Sequence, residues 1–555
     1  MRSLGPSLDR MVNSRGDLPV TSQPSKPDHS PGHSMKTSQS QSRDAFALEP
    51  HHAAEDAAKF STTPERPSDH SLARAVAWNA ASDWGTQIFT WVAFLAVMRI
   101  LTPADFGIAG LAGILMPYMG QLTGLGLPRA VIALQGLTKD QLAQMNTLSV
   151  LSATTLFLLG VVIAKPFAAF FKIPALAPVF IVACSGLIMS AIVAVPGAVL
   201  AKQLRFRFLS LLGAACALIA AIATLGMALL GFGYWALLLG NMVAGVFKIV
   251  MVQRVQPSRW AWPRLHVIRG PLQFGWQISV SVLAMNSYQR LDNLVAGRML
   301  GASALGFYSN AWEVANVPIE KVASMVTTVI PSYLSAVQDQ PVLVRRYLRV
   351  LTEMIALATF PATVGLSLVA PEFVPVVFGH KWNGMVGPLQ VLSFYAAFRS
   401  IVALLSKVLT AVGSVRYVMW NDLAALMILS AAFFVGSYRG TTGIAWGWVV
   451  AYPLVVLPLY RKTFQAIGMN IGEYLRALRP ALTGTVVMIP AVEWVRHSLA
   501  ANHSLLLRLA AEVTVGAFVY LGTLWLLHRE RLMVLIQGLK NFWPKKNPRA
   551  GNATA

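Results

Sequence analysis

Apolar runs of about twenty residues recur from near Ala75 to His528, separated by short gaps that hold most of the charge. A bilayer's hydrocarbon core is about 30 Å thick, and roughly 20 helical residues cross it. A spanning segment must satisfy its own backbone hydrogen bonds, and none of these runs alternates like a barrel strand. The runs therefore restrict the chain to an all-α polytopic membrane protein. Composition agrees: 55% of residues are hydrophobic and 12% charged, whereas soluble domains carry about 25% charged side chains.

Fourteen runs are expected as helices, roughly 75–100, 106–127, 146–170, 177–201, 208–229, 233–253, 272–297, 303–335, 350–371, 384–411, 417–437, 441–460, 480–496 and 506–528. Gaps after even-numbered runs hold Arg129, Lys139, Lys202, Arg205, Arg207, Arg254, Arg259, Arg264, Arg345, Arg346, Arg349, Arg461, Lys462, Arg476 and Arg479, while those after odd-numbered runs hold far fewer cations. The positive-inside rule then predicts cytoplasmic termini in a bacterial inner membrane protein. The same scatter argues against nucleic acid: the net charge of +22 is spread over gaps and not clustered with aromatic partners on one domain face.

Residues 1–70 lack a sustained apolar period and are expected to form a disordered cytoplasmic tail. The spacing of His29, His33, His51, His52 and His70 is irregular for a metal site, and Cys184 and Cys216 lie inside apolar runs. No conventional signal peptide precedes the first run. No phosphate loop, H-E-x-x-H or G-x-S-x-G motif occurs, so the chain is expected to be no enzyme, with no cofactor or metal. Its energy would come from an ion gradient, the substrate gradient or a partner.

One internal repeat stands out. MRILTPADFG, Met98 to Gly107, follows the first run, and GRMLGASALG, Gly297 to Gly306, follows the seventh. In this register Arg99 pairs with Arg298, Leu101 with Leu300, Phe106 with Leu305 and Gly107 with Gly306. Both decamers end an odd-numbered run, so a parallel repeat is expected: two six-helix lobes, 71–253 and 272–460, related by an axis along the membrane normal. A cytoplasmic linker, 254–271, would lay Trp260 and Trp262 on the inner leaflet. Two further helices, within 461–528, and a basic cytoplasmic tail, 529–555, would follow.

The stretch RILTPADFG, from Arg99 to Gly107, resembles a signature of the polysaccharide transporter family. These are the Wzx-like oligosaccharide flippases of the multidrug/oligosaccharidyl-lipid/polysaccharide exporter superfamily. Gly124 to Leu127 with Ala130, Val195 to Ala198 through Leu204 to Phe206, Gly231 to Leu237, Asp292 to Leu294 with Gly297 and Arg298, and Phe378 to Trp382 are similar to the same family. The resemblance implies two lobes around a central cavity. It also implies outward movement of an undecaprenyl-pyrophosphate-linked oligosaccharide. Membrane lipids, a polysaccharide polymerase and chain-length proteins are the expected partners of a monomer.

Such a substrate needs a wet cavity with cations for phosphate, so charges inside the runs are the candidates. Asn286, Gln289, Arg290 and Asn293 fall on one face of the seventh helix, and Asp292 lies about 200° around from Arg290. The face is expected to line the cavity, and Asp292, with Tyr288, to contact a neighbouring helix. Asn310, Glu313, Asn316 and Glu320 follow at helical steps in the eighth. With a turn near Gly301, Arg290 and Glu313 would both lie ~17 Å deep. They could form a locking salt bridge, or Arg290 could meet the pyrophosphate while Glu313 holds it at rest or takes a proton.

Asp83, with Gln87, could bind a coupling ion or merely hydrogen-bond. Arg399 and Lys407, accompanied by Lys321 and Asp422, could reach the cavity, although Lys407 can also snorkel. Arg129 could greet phosphate at the inner mouth or simply mark topology. Gly107, Gly110 and Gly113 suit close helix packing. Two other readings stay open: a multidrug antiporter of the same superfamily, which needs an acidic lining, and a polysaccharide polymerase, which needs a large outer loop that the short odd-numbered gaps do not provide.

Overall fold

The computed structural model describes residues 69–286, 290–327, 341–411, 414–499 and 504–530. The chain divides into Met1–His70 and Ser71–Ala555, and the description concerns the second unit; the expected tail and its histidines lie outside the described residues. Among these residues every regular element is a helix: α1 Asp69–Ile100, α2 Pro103–Gly113, α3 Met116–Thr123, α4 Leu127–Ala133, α5 Lys139–Phe171, α6 Leu176–Lys202, α7 Phe206–Leu229 and α8 Tyr234–Val255. There follow α9 Leu265–Asn286, α10 Leu291–Thr327, α11 Pro341–Val377, a 3-10 turn His380–Met385, α12 Val386–Ala411, α13 Val415–Ser437, α14 Gly440–Ile467, α15 Ile471–Ser498 and α16 Leu505–Leu527. Eleven spans among the described residues are long and apolar enough to cross a membrane, and Gly85–Ile100 is a shorter apolar helix.

Sequence sets the boundaries locally. Thr102 ends the first decamer's approach and caps α2: its hydroxyl accepts from the Asp105 amide at 3.3 Å, and its own amide donates to Asp105 Oδ2 at 2.9 Å. Pro103 follows in the first turn, where its missing N–H costs nothing. Thr138 and Gln141 form the same reciprocal cap at the start of α5.

Several expected boundaries are corrected. The run 106–127 is not one helix but α2, α3 and the start of α4, because Pro117 and Pro128 each open a new first turn and Gly126 sits at φ 68°. The run 272–297 is likewise two elements: α9 ends at Asn286 and α10 begins at Leu291. α9 also begins inside the expected linker, leaving exposed Trp260 and Trp262 in a shorter non-helical stretch. α14 and α15 extend beyond their apolar windows, so Arg461, Lys462, Arg476 and Arg479 lie within helices and not in a gap, as good helix formers readily do.

The two decamers meet each other. Gly301 adopts φ 84°, ψ −177°, a conformation open essentially to glycine alone, and α10 folds back on itself there, bringing Asp292 against Tyr308. A Cβ on Gly107 would lie 1.8 Å from the Ala302 carbonyl oxygen, and one on Gly306 would lie 1.9 Å from that of Pro103. In the repeat register Pro103 corresponds to Ala302 and Gly107 to Gly306, so the two contacts are equivalents of one another. Trp382, fully buried, donates from Nε1 to the Met98 carbonyl at 2.8 Å and packs edge-on against Phe106 and Phe307. Lys381 Nζ donates to the Arg99 carbonyl at 2.8 Å, and Arg99 caps the end of α11 through the Val377 carbonyl at 2.9 Å and that of Val376. One core cluster consequently runs from Met98 and Leu111 through Leu305 and Tyr308 to Trp448. A second joins α11 and α12 to α15 and α16.

Candidate functional site

Asp292, in the first turn of α10, is 1% exposed. Its Oδ2 accepts from the Tyr308 hydroxyl at 2.9 Å and from Trp448 Nε1 at 3.2 Å, and its Oδ1 accepts from the Asn293 amide at 2.8 Å. Three donors on one carboxylate satisfy a charge that would otherwise be costly to bury. Trp448 also stacks on Tyr395 at 5.1 Å and packs against Trp312 and Phe433. Next to this stack Arg399 donates from Nη1 to Asn316 Oδ1 at 2.6 Å and lies with its Cζ 5.0 Å from the Trp312 ring centre. A guanidinium carries five donors, so a cation–π contact and one hydrogen bond among the described residues leave a planar fork suited to phosphate.

The expected cavity residues are not gathered as the periodicity suggested. Because α9 and α10 are separate helices, Asn286 and Asn293 do not share one described helix face; Gln289, Tyr288 and the side chains of Asn286 and Asp83 lie outside the described residues. Arg290 is exposed and within electrostatic reach of Glu313 and of Tyr118 on α3. It thus faces both halves of the chain. Glu313 and Glu320 are exposed as well, and among the described residues no ion pair joins Arg290 to Glu313. The expected buried pair is therefore not formed: Arg290 and Glu313 are both exposed, and the buried acid is Asp292. Lys407 and Arg129 are exposed, and Asp422 is half-buried.

Two features escaped the sequence reading. A cavity of about 900 Å³ lies within the first half between α2, α6, α7 and α8, lined by Gly113, Gly186, Gly213, Ser190, Asn241 and Lys248 among others. That volume suits a small ligand. A charge cluster also ties the last two helices to α11. Glu372 accepts from Arg508 Nη2 at 2.7 Å and pairs with Arg496 Nη2 at 3.4 Å; Arg496 further pairs with Glu493 at 2.9 Å and Glu512 at 3.6 Å. The signal for both was available: a charged residue inside an apolar run, as at Lys248, Glu372 and Glu512.

Long apolar helices enclosing buried carboxylates and half-buried or exposed guanidiniums define a polytopic membrane protein of the transporter class. Its fold is similar to that of the lipid II flippase MurJ in an inward closed conformation, with a TM-score of 0.66, 14% identity and coverage of 82% of this chain and 100% of that one. It is also similar to a multidrug resistance MATE family transporter in an inward-facing conformation, with a TM-score of 0.53, 13% identity and coverage of 68% and 94%. Residues 96–387 match the family described as polysaccharide biosynthesis protein, and the chain belongs to that family. Among its relatives are the teichuronic acid biosynthesis protein TuaB of Bacillus subtilis (strain 168), 26% identical over 80% of this chain and 93% of the relative, and the succinoglycan biosynthesis transport protein ExoT of Rhizobium meliloti (strain 1021), 24% identical over 87% and 98%. The lipopolysaccharide biosynthesis protein WzxC of Escherichia coli (strain K12) matches more locally, 27% identical over 37% of this chain and 42% of the relative.

Proposed function

We propose that this protein flips undecaprenyl-pyrophosphate-linked oligosaccharide units outward across the bacterial inner membrane for surface or exopolysaccharide synthesis, by alternating access. In this reading fourteen helices form two six-helix lobes and a C-terminal pair, both termini are cytoplasmic, and the seam between the decamers is the outer gate. A polysaccharide polymerase and chain-length proteins would take over the product. The observation that carries the reading is Arg399, a guanidinium set over Trp312 with most of its donors turned to no protein partner among the described residues. Arg290, facing both halves, supplies the second cation for a diphosphate. Family membership supplies the polymer, and the cations supply the reason that its lipid carrier binds here.

Charge-assisted hydrogen bonds contribute about 1.5–3 kcal/mol, and each 1.4 kcal/mol is tenfold. Arg399→Ala should therefore lower polymer export by roughly 10- to 100-fold and accumulate lipid-linked repeat units in the membrane. Arg399→Lys should be intermediate, because it keeps the charge and loses the fork. Full export by Arg399→Ala at normal protein level would remove the assignment.

A further inference from the structure

The cluster on α11, α15 and α16 contains three carboxylates, Glu372, Glu493 and Glu512, and two guanidiniums, Arg496 and Arg508. Glu512 is fully buried, and neither of its carboxylate oxygens accepts a hydrogen bond. Its contact is the 3.6 Å ion pair with Arg496 Nε, itself without a hydrogen-bond partner. Both arginines direct Nη2 to Glu372 on α11. The charged groups facing Glu512 are therefore Glu372 from α11, Glu493 and Arg496 from α15, and Arg508 from its own helix. With all five ionised, a buried carboxylate is left uncompensated, which is the costliest arrangement open to the cluster. One proton balances it.

Glu372 also stands one helical turn before Val376, whose carbonyl, with that of Val377, accepts from Arg99 of α1. The end of α11 is thus held from one side by the C-terminal pair and from the other by the first decamer. We propose that Glu512 is a proton-binding site through which the C-terminal helix pair controls the outer gate. With the proton bound, Arg496 and Arg508 remain on Glu372, and α11 stays against Arg99, closing the seam. When the proton leaves, the Glu512 carboxylate draws Arg496 away from Glu372, and the end of α11 is freed to part from α1. A proton taken from the outer face therefore closes the gate. This inference rests on the alternating-access reading but not on the identity of the cargo.

The full chain in lipid nanodiscs, with Cys184→Ser and Cys216→Ser, would carry spin labels at Phe232→Cys and Tyr438→Cys, two exposed positions beside the α7–α8 and α13–α14 turns. Distances would be measured between about pH 5 and pH 8. A second, longer distance should grow as pH rises, the ratio of the two changing by up to about tenfold per pH unit for one proton. Glu512→Gln, which cannot ionise, should hold the short distance throughout. Glu493→Gln removes the surplus negative charge while sparing the buried group, and should move the response to lower pH. An unchanged response in Glu512→Gln overturns the proposal; if that variant does not fold, an unchanged response in Glu493→Gln does so instead. Sodium reproducing the change at fixed pH overturns the proton as the ligand. Two distances in a pH-independent ratio overturn the proposal alone, whereas a single distance under every condition overturns alternating access with it.

Discussion

Asp292 and Arg290 stand two positions apart and have opposite fates, one enclosed by Tyr308 and Trp448, the other exposed toward both halves of the chain. Removing a donor from a buried carboxylate costs about 1–3 kcal/mol. Tyr308→Phe should accordingly lower the unfolding midpoint in detergent, and Asp292→Ala should do so at least as strongly by stranding the buried Tyr308 hydroxyl, Trp448 Nε1 keeping the Tyr308 oxygen at 3.1 Å, while Arg290→Gln should leave it nearly unchanged. Calorimetry of the purified variants checks this, and equal losses from all three would refute the division between a structural acid and an accessible base. That Asp292 points away from Arg290, toward a neighbouring helix, was legible from their spacing. The partnership with Trp448 was not, since 156 positions separate the two residues and no local pattern encodes their meeting. The expected bond between Arg290 and Glu313 failed for a related cause: depth from a turn can be counted, but which way a side chain points cannot.

Among the helices, the glycines of α2 and α10 divide by what surrounds them. Gly107 and Gly306 touch opposing backbone, whereas Gly113 has nothing within 4 Å of where a Cβ would sit and lines the first-half cavity. Gly107→Ala or Gly306→Ala should destabilise by about 1–3 kcal/mol, since a backbone oxygen cannot move aside as a side chain can. Gly113→Ala should instead gain up to about 1 kcal/mol of helix propensity. Thermal unfolding of the three variants decides, and the same sign for all would contradict the distinction. The sequence reading grouped Gly107 and Gly113, with Gly110, as packing glycines. The second helix was expected to begin at 106, three residues late, although Thr102, Pro103 and Asp105 write its cap; the family was legible in the nine residues around them. The fragmentation of 106–127 was obscured because an apolar run marks what can face lipid, and a helix can bend or stop within it.

Across the whole molecule, the seam where the decamers meet is flanked, among the described residues, by specific bonds from the first decamer to the second half: Arg99 to the end of α11, Lys381 to Arg99, and Trp382 to Met98. Arg99→Ala with Lys381→Ala should weaken the closed seam by several-fold or more without unfolding either half, because buried Trp382 and the surrounding core remain. Greater modification of a cysteine placed at Thr102 by a membrane-impermeant thiol reagent would show it, and unchanged labelling would mean that packing alone keeps the seam shut. The seam is also built unequally on its two sides. At corresponding positions the first decamer carries Thr102, braced by Asp105 and Pro103, and the second carries Gly301 at a dihedral few residues tolerate. As a joint, the first decamer is a bracket and the second a bend that essentially glycine alone can make.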